Sequence, residues 1–376
     1  MVTLGSAASP KYRILVYGFS DTTTYGIGTL IAELESAKNV GYGKYANGIP
    51  EAFFTLDQDD PKALRLRNTE GRCHVRIYRD TDLVWTGWCA MEMDATDRDV
   101  IVYCYGYLAG LYWSLSDWNQ HWTNVTTKEI TDDLWTRAKT TTTNSGLNFV
   151  ATGTTQALVT TSGGSTEINL PTYAAFYKRI YNVLREVAAL GISDTTNSPI
   201  FEITHSTTPT FNFWKNRGTD KEDVVWEYGG GLVAGYSVYK AQVFRRNNVF
   251  AVGSAPNDAL LRAEYSNTTD RTNYFTRQEP AYFTWVRDQT ELNRALAWRA
   301  SRAMRDDPDV TLKFHPNAII PPGATGAGFD LADRVTVKIV HGAVNIDGLY
   351  LASGYEVIWA QGVEHMRVFL EERFVG

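Results

Sequence analysis

The chain has 376 residues, which at roughly 100–200 residues per domain predicts two to four domains, and its 44% hydrophobic and 21% charged content is ordinary for folded protein. Its net charge of −6, without a block of Lys or Arg, argues against a surface that binds nucleic acid. Its mean hydropathy of −0.27, and the lack of an apolar run near the ~18 residues of a membrane span, predict no membrane insertion.

Residues 1–116 predict an N-terminal β-barrel domain. Segments rich in aromatic and β-branched residues favour half-buried strands, and the Asp, Gly, Thr and Asn residues between them supply turns. The predicted strands run over residues 12–19, 30–34, 51–57, 73–79, 83–88 and 100–105. After the second of these, Gly41, Gly43 and Gly48 predict a loop, and their irregular spacing does not fit a dinucleotide-binding fingerprint.

Residues 117–222 predict a mixed α/β insertion domain. Thr126 and Glu129 have the spacing of a capping box, which predicts a helix from this point. A second helix is predicted after Pro171, because the apolar residues that follow form one stripe. The stripe consists of Phe176, Ile180, Val183, Leu184, Val187 and Leu190. The polar stretch Thr140–Thr166 fits either β segments with loops or a mobile excursion.

Residues 223–286 predict a β-rich connecting domain, and residues 287–376 predict a C-terminal domain with a helix and a second β-barrel. Gly229–Gly231 predicts a turn, with a hinge as the alternative. Asp288 and Glu291 predict the start of the helix. The predicted strands run over residues 224–228, 233–244, 248–253, 260–265, 335–339, 348–358 and 366–370. The predicted fold class is therefore mainly β, with two tube-like antiparallel β-barrel domains and an inserted mixed domain.

No pattern typical of an active site is present. The chain has no G-x-S-x-G elbow, no His-Glu-x-x-His motif and no Walker-type loop. Its acidic clusters are typical of solvated turns, with a glycosidase pair or a calcium site as the alternatives. These clusters are Asp57, Asp59 and Asp60; Asp94, Asp97 and Asp99; and Asp306, Asp307 and Asp309. We predict no catalytic residue, no cofactor, no metal site and no enzymatic activity.

The cysteines and the aromatic residues have structural interpretations. Cys73, Cys89 and Cys104 lie in apolar or alternating runs without Cys-x-x-Cys spacing, which predicts buried, reduced thiols rather than a zinc site. An aromatic set in the same part of the chain fits a core or a subunit interface, with a sugar-binding platform as the alternative. This set consists of Tyr103, Tyr105, Tyr107, Tyr112, Trp113, Trp118 and Trp122.

Two stretches carry a resemblance to a known family. From Phe53 to Gly87 the sequence predicts a strand, a connection with Asp and Pro, a Val-Arg-Ile-Tyr strand and a Trp-x-Gly strand. From Asp288 to Leu370 it predicts a capped helix, a Val-x-Val strand and a final hairpin. The arrangement resembles the baseplate hub, or tail-tip, proteins of tailed bacteriophages, including the minor tail proteins of siphophages. Ala332 stands where that family often has Gly before the Val-x-Val strand.

The resemblance implies a structural virion protein at the tail tip, assembled in the host cytoplasm. It implies a homotrimer in which each subunit supplies two tube-like domains to a pseudo-sixfold ring. The implied partners are the distal tail protein, the tail tube protein, the tape-measure protein and tail fibre or receptor-binding proteins. Phage DNA would pass through the ring without sequence-specific binding once the closed channel opens for ejection.

Two other functions remain alternatives at this point. One is a tail-associated cell-wall hydrolase, although the chain ends at Gly376, soon after the last predicted strand, and we expect no appended catalytic domain. The other is a glycan- or receptor-binding tail module that uses Thr140–Thr166 or the aromatic set.

Overall fold

Strands dominate the computed structural model. It describes residues 10–20, 26–69, 71–116, 121–140, 147–157, 169–175, 177–190, 199–215, 217–239, 246–254, 260–283, 286, 288–303, 309–316 and 328–372. The strands are β1 Tyr12–Phe19, β2 Ile27–Leu34, β3 Asn39–Tyr45, β4 Glu51–Asp57, β5 Cys73–Arg79, β6 Asp82–Ala95, β7 Asp99–Gly106, β8 His121–Thr126, β9 Ala151–Thr155, β10 Asn169–Ala174, β11 Ile200–Ile203, β12 Thr210–Trp214, β13 Asp220–Glu227, β14 Val233–Tyr239, β15 Asn248–Ser254, β16 Leu260–Ser266, β17 Gln278–Phe283, β18 Asp309–Phe314, β19 Arg334–His341, β20 Val344–Ala360 and β21 Val363–Glu372. The helices are α1 Pro61–Asn68, α2 Ala109–Trp113, α3 Thr127–Thr140, α4 Ile180–Leu190, α5 Thr268–Tyr274 and α6 Gln289–Ala303.

The N-terminal strands pair antiparallel in the order β3-β4-β7-β6-β5-β1-β2. The side chains of a strand alternate between the two faces of its sheet, and in β4 Ala52, Phe54 and Leu56 are buried. After β4 the chain turns into α1, where the Asp60 carboxylate accepts a hydrogen bond from the backbone N–H of Lys62 at 2.8 Å. This bond caps the helix, and it lowers the pKa of Asp60 because it stabilises the carboxylate.

The C-terminal strands pair in the order β14-β18-β21-β20-β19-β13, with only the β13–β19 pair parallel. A turn joins β13 to β14, in which the N–H of Gly230 donates to the carbonyl of Glu227 at 3.1 Å. Gly229 has a φ of 90°, which a residue with a side chain rarely adopts. An isolated bridge between Tyr228 and Val233 brings the two edge strands together, but no continuous ladder closes either sheet into a barrel among the described residues.

The two sheets are joined into one, because the second half of β20 pairs with β3 as well as with β21. Their buried faces share one hydrophobic core, to which the N-terminal strands contribute Trp85 and the C-terminal strands contribute Trp226 and Tyr355. The rings of Trp226 and Phe314 meet edge to face at 5.2 Å within this core.

Helices α2, α3, α4 and α6 share a second core with three small sheets. The small sheets are β8 with β10, β9 with β11 and β12, and β15 with β16 and β17. Trp135 of α3 stacks on Phe211 of β12 with ring centroids 4.3 Å apart. Within the described ranges, no helix combines the length and apolarity that a membrane span requires.

The structure confirms the predicted fold class, which is mainly β with large antiparallel sheets and a mixed α+β part. The predicted capping box is present, since the Thr126 N–H donates to Glu129 Oε2 at 2.7 Å and the Glu129 N–H donates to Thr126 Oγ1 at 3.2 Å. Asp288 accepts from the N–H of Thr290 at 2.8 Å at the start of α6, as predicted. The domain limits given above stay a prediction.

Two local predictions were wrong. The glycine-rich segment around Gly41 and Gly43 is strand β3 rather than a loop. It is held by ladders on both sides, with β4 and with β20, which outweigh the low strand propensity of Gly. The second helix begins at Ile180 rather than soon after Pro171, because Pro171 lies in strand β10. Phe176 of the predicted stripe lies outside the described residues.

Candidate assembly surface

The two large sheets repeat one strand arrangement. Strands β3, β4, β5, β6 and β7 have the spatial order β3-β4-β7-β6-β5, and strands β14, β18, β19, β20 and β21 have the order β14-β18-β21-β20-β19. In each set the fourth strand of the chain order, β6 or β20, is long and contains a register shift. The chain therefore contains two copies of one arrangement, the first with α1 inserted and the second with β15–β17, α5 and α6 inserted.

The first strands of the two copies also match in sequence. Strand β3 contains Gly41-Tyr42-Gly43-Lys44-Tyr45, and strand β14 contains Gly235-Tyr236-Ser237-Val238-Tyr239. Both segments read Gly-Tyr-x-x-Tyr, and in both the glycine lies opposite a residue of the following strand in the arrangement. This internal repeat was present in the sequence but was missed, and a search for repeated short strands could have found it.

Eight strands form a continuous wall across the junction, in the order β14-β18-β21-β20-β3-β4-β7-β6. We call these eight strands the wall. Every neighbouring pair in the wall is antiparallel. At its centre β20 and β3 pair over seven positions from Gly354 opposite Tyr45 to Ala360 opposite Asn39. The Tyr45 hydroxyl also donates to Glu356 Oε1 across this junction, and burial with this contact raises the pKa of Tyr45.

Both ends of the wall are open edges among the described residues. The last part of β6 pairs with β7 only, because the β5 ladder ends at Trp88. Strand β14 pairs with β18 only, apart from the isolated bridge at Val233. Asp94 and Ala95 in β6 are exposed, and Tyr239 at the end of β14 is 59% exposed. Open strand edges are natural templates for pairing with another chain.

A shallow groove of about 240 Å³ runs along one face of the wall over β3. Gly41 and Gly43 line it, and a Cβ added at Gly43 would lie 2.9 Å from the Tyr45 hydroxyl. Phe53 covers Gly41, where an added Cβ would lie 2.2 Å from the ring. Glu51 and Tyr105 also line the groove, which gives it an aromatic and acidic character.

A buried ion pair ties the tip of the β20–β21 hairpin into the N-terminal sheet. Glu364 of β21 is completely buried, and its carboxylate accepts two hydrogen bonds from the Arg79 guanidinium at 2.8 Å each. The Tyr12 hydroxyl donates to the same carboxylate at 2.5 Å. Glu364 raises the pKa of Arg79, because the carboxylate stabilises the charged guanidinium. Two parts of the chain that are distant in sequence are therefore locked together.

The aromatic set is divided between a core and a surface. Tyr107 and Trp122 are buried, whereas Trp113 is 57% exposed and Tyr112 is 38% exposed. Arg179 lies over the Tyr112 ring, with its guanidinium carbon 4.1 Å from the ring centroid. Trp118 lies outside the described residues, and so does most of Thr140–Thr166 apart from β9 and the residues beside it.

Some of the chemical groups singled out in the sequence meet in the structure, because the cysteines lie on neighbouring strands and Asp57 lies opposite Asp99. All three cysteines are buried thiols outside any disulfide, as predicted, and a hydrogen bond to Cys89 together with burial raises the pKa of Cys73. Asp57 and Asp99 pair with Lys38 at 3.0 and 2.6 Å. No group of His, Cys, Asp and Glu in the described ranges is placed to hold a metal ion.

No protein-family model matches the sequence, and no curated protein matches it. Solved structures match it over nearly its whole length. The tail protein from Neisseria meningitidis MC58 has a TM-score of 0.63 at 10% identity, with 96% of this chain and 97% of that chain covered. The 43 kDa tail protein of prophage MuSo2 from Shewanella oneidensis has a TM-score of 0.61 at 10% identity, with 95% and 98% covered.

The fold is that of prophage tail proteins. Prophage tail protein gp18 from Listeria monocytogenes EGD-e agrees, with a TM-score of 0.54 at 10% identity and with 96% of this chain and 95% of that chain covered. The tail-protein fold includes both copies of the repeated arrangement, since these matches cover almost the entire chain.

Proposed function

We propose that this chain is a structural virion protein that forms a ring at the tail tip of a tailed phage. The observation that carries this proposal is the tail-protein fold over nearly the whole chain, combined with two copies of one strand arrangement in that chain. A subunit with two equivalent wall segments contributes two positions to a ring. Three subunits then give a pseudo-sixfold ring, which matches a sixfold tail tube.

The strand directions of the wall support ring closure. The wall contains eight strands that alternate in direction, so its two edge strands, β6 and β14, run in opposite directions. Copies related by rotation about an axis along the strands therefore bring β6 of one copy beside β14 of the next in antiparallel orientation. Such a head-to-tail contact generates a closed ring when the rotation closes.

In this proposal the ring joins the distal tail protein and the tail tube to the tip. The tape-measure protein contacts its interior, and tail fibre or receptor-binding proteins attach outside. The ring is closed before ejection and then lets DNA pass without reading its sequence. The net charge of −6 is consistent with a channel that does not hold DNA, because phosphate binding depends on Lys and Arg. The proposed role is structural rather than enzymatic.

Labelling of purified virions with an antibody against this chain tests the proposal. We expect gold particles at the tail tip in electron micrographs, and no turnover of purified peptidoglycan by the protein. Label on the head or along the tail shaft would contradict the proposed location, and peptidoglycan cleavage would favour the hydrolase.

A glycan-binding role is the second candidate, and the exposed aromatic residues beside α2 favour it. Trp113 and Tyr177 are 57% and 65% exposed, and flat aromatic rings of this kind can stack on sugar rings. A glycan array separates the two roles, because a tail-tip ring without glycan recognition gives the same signal for the wild type and Trp113→Ala.

A further inference from the structure

We propose that β6 of one copy pairs with β14 of the next copy in the same register that β20 and β3 use within one chain. This pairing places Asp94 opposite Gly235 of the next copy. The inference rests on the proposed ring and specifies its contact surface.

The first step aligns β6 with β20 through their hairpins. Ala360 and Val363 flank a two-residue turn between β20 and β21. Thr96 and Asp99 flank a two-residue turn between β6 and β7, where the Thr96 N–H donates to the Asp99 carbonyl at 2.8 Å. Counting back from these turns makes Asp94 the counterpart of Ile358. The register shift in β6 lies between Cys89 and Met93, so it does not disturb this alignment.

The second step aligns β14 with β3. The hairpin alignment makes Arg367 of β21 the counterpart of Tyr103 of β7. Tyr103 lies opposite Phe53, and Phe53 lies opposite Gly41. In the C-terminal sheet Arg367 lies opposite Lys313, and Lys313 lies opposite Gly235. Gly235 is therefore the counterpart of Gly41, in agreement with the shared Gly-Tyr-x-x-Tyr pattern.

The third step transfers the observed pairing. Ile358 lies opposite Gly41 in the β20–β3 ladder. Their counterparts, Asp94 and Gly235, occupy the two open edges of the wall. The neighbouring pair in the ladder, Val357 opposite Tyr42, corresponds to Met93 opposite Tyr236. The bulge in β14, between Val233 and Gly235, lies outside these two pairs.

Residues of β14 are more exposed than their counterparts in β3, as expected for a strand that lacks a neighbour on one side. Gly43 in β3 is buried, whereas its counterpart Ser237 in β14 is exposed. Tyr45 is partly buried against β20, whereas its counterpart Tyr239 is 59% exposed. The residues that β20 covers within the chain are thus uncovered at the edge where we place β6 of the next copy.

Cysteine cross-linking between separately purified variants tests the register. Asp94→Cys is mixed with Gly235→Cys, assembled and oxidised with copper phenanthroline. A Cβ at Gly235 meets no atom within 4 Å, so the substitution fits the isolated chain. We expect a disulfide-linked dimer in the mixture and not in either variant alone, because the bond joins two copies. The three native cysteines are buried and are kept.

Two further mixtures control for folding and for chance collision. Met93→Cys with Tyr236→Cys is the adjacent pair in the same register, and it is expected to cross-link if an Asp94 or Gly235 variant does not fold. In the mixture of Asp94→Cys with Tyr239→Cys, the second cysteine lies on the same edge strand as Gly235 but four residues further along. This mixture is expected to give at least tenfold less dimer than Asp94→Cys with Gly235→Cys. Asp94→Cys with Glu264→Cys, on β16, is expected to give none.

The outcomes separate this inference from the proposed function. Rings without cross-links in both in-register mixtures would overturn the register and leave the ring intact. Equal cross-linking in and out of register would overturn it as well. A protein that never assembles would contradict the proposed ring itself, and the inference with it.

Discussion

Glu364 is a single side chain that adds a buried ion pair to the join between the two sheets. Its buried carboxylate is satisfied by the Arg79 guanidinium and the Tyr12 hydroxyl. Removing one partner of a buried ion pair leaves the other charge uncompensated. We expect Glu364→Ala to lower the free energy of unfolding by about 3 kcal/mol, measured by urea denaturation.

Two variants define the cause of that loss. Glu35→Gln, at an exposed carboxylate, is expected to change stability by less than about 0.5 kcal/mol. The double variant Arg79→Met/Glu364→Leu is expected to recover most of the loss, because an apolar pair leaves no buried charge. If the double variant is as unstable as Glu364→Ala, the ion-pair explanation is wrong.

His205 makes stability depend on pH. Its Nδ1 accepts the backbone N–H of Thr86 at 2.8 Å, which requires that nitrogen to be unprotonated. Burial and the nearby Lys44 hold the pKa of His205 well below its ordinary value of 6.5. As the pH is lowered, the unfolded chain therefore binds a proton at this histidine before the folded chain does. The stability that the neutral His205 contributes is fully present above about pH 6.5 and falls as the pH is lowered through that value.

Urea unfolding at a series of pH values tests this dependence. For the wild type, we expect the urea concentration at the unfolding midpoint to decrease as the pH is lowered below 6.5. For His205→Asn, whose amide oxygen can accept the Thr86 N–H, we expect a smaller decrease over the same pH range. His365→Asn, at an exposed ring, is the control and is expected to keep the wild-type slope. An unchanged slope in His205→Asn would show that another group is responsible.

Local chemistry at the scale of single residues could be predicted where it depends on neighbours in sequence. The capping role of Asp288 and the burial of the three cysteines follow from short patterns. The Glu364–Arg79 pair could not be predicted, because its members are distant in sequence and their meeting depends on the hairpin reaching the other sheet.

At the scale of elements, α3 depends on its N-terminal cap. The reciprocal bonds between Thr126 and Glu129 satisfy two backbone N–H groups at the start of the helix. We expect Thr126→Ala to cost about 1 kcal/mol of unfolding free energy by urea denaturation, and Thr126→Ser, which keeps a hydroxyl, to cost much less. Equal losses in both variants would assign the effect to the methyl group instead.

The element that was predicted wrongly shows what sequence patterns lack. Gly41 and Gly43 have low strand propensity, so the segment around them predicts a loop. In the structure the two glycines line the groove over β3, and they let the Phe53 ring lie in the space that a side chain at residue 41 would need. Pairing on both sides decides the conformation of β3, and this information lies in β4 and β20 rather than in the segment itself.

At the scale of the whole molecule, the repeated arrangement explains both the continuous wall and its open ends. The mainly-β class follows from the alternation of apolar and polar residues, which each strand shows by itself. The junction between β20 and β3 cannot be predicted from this alternation, because it joins two parts of the chain that are distant in sequence. In the ring that we propose, the same junction is repeated between copies.

The mass of the native tail-tip assembly tests the central claim that identical chains close a ring. Native mass spectrometry of the assembly isolated from virions is expected to give three copies of the 42.1 kDa chain. A single copy in the assembled particle, or a copy number that is not a multiple of three, would contradict the account.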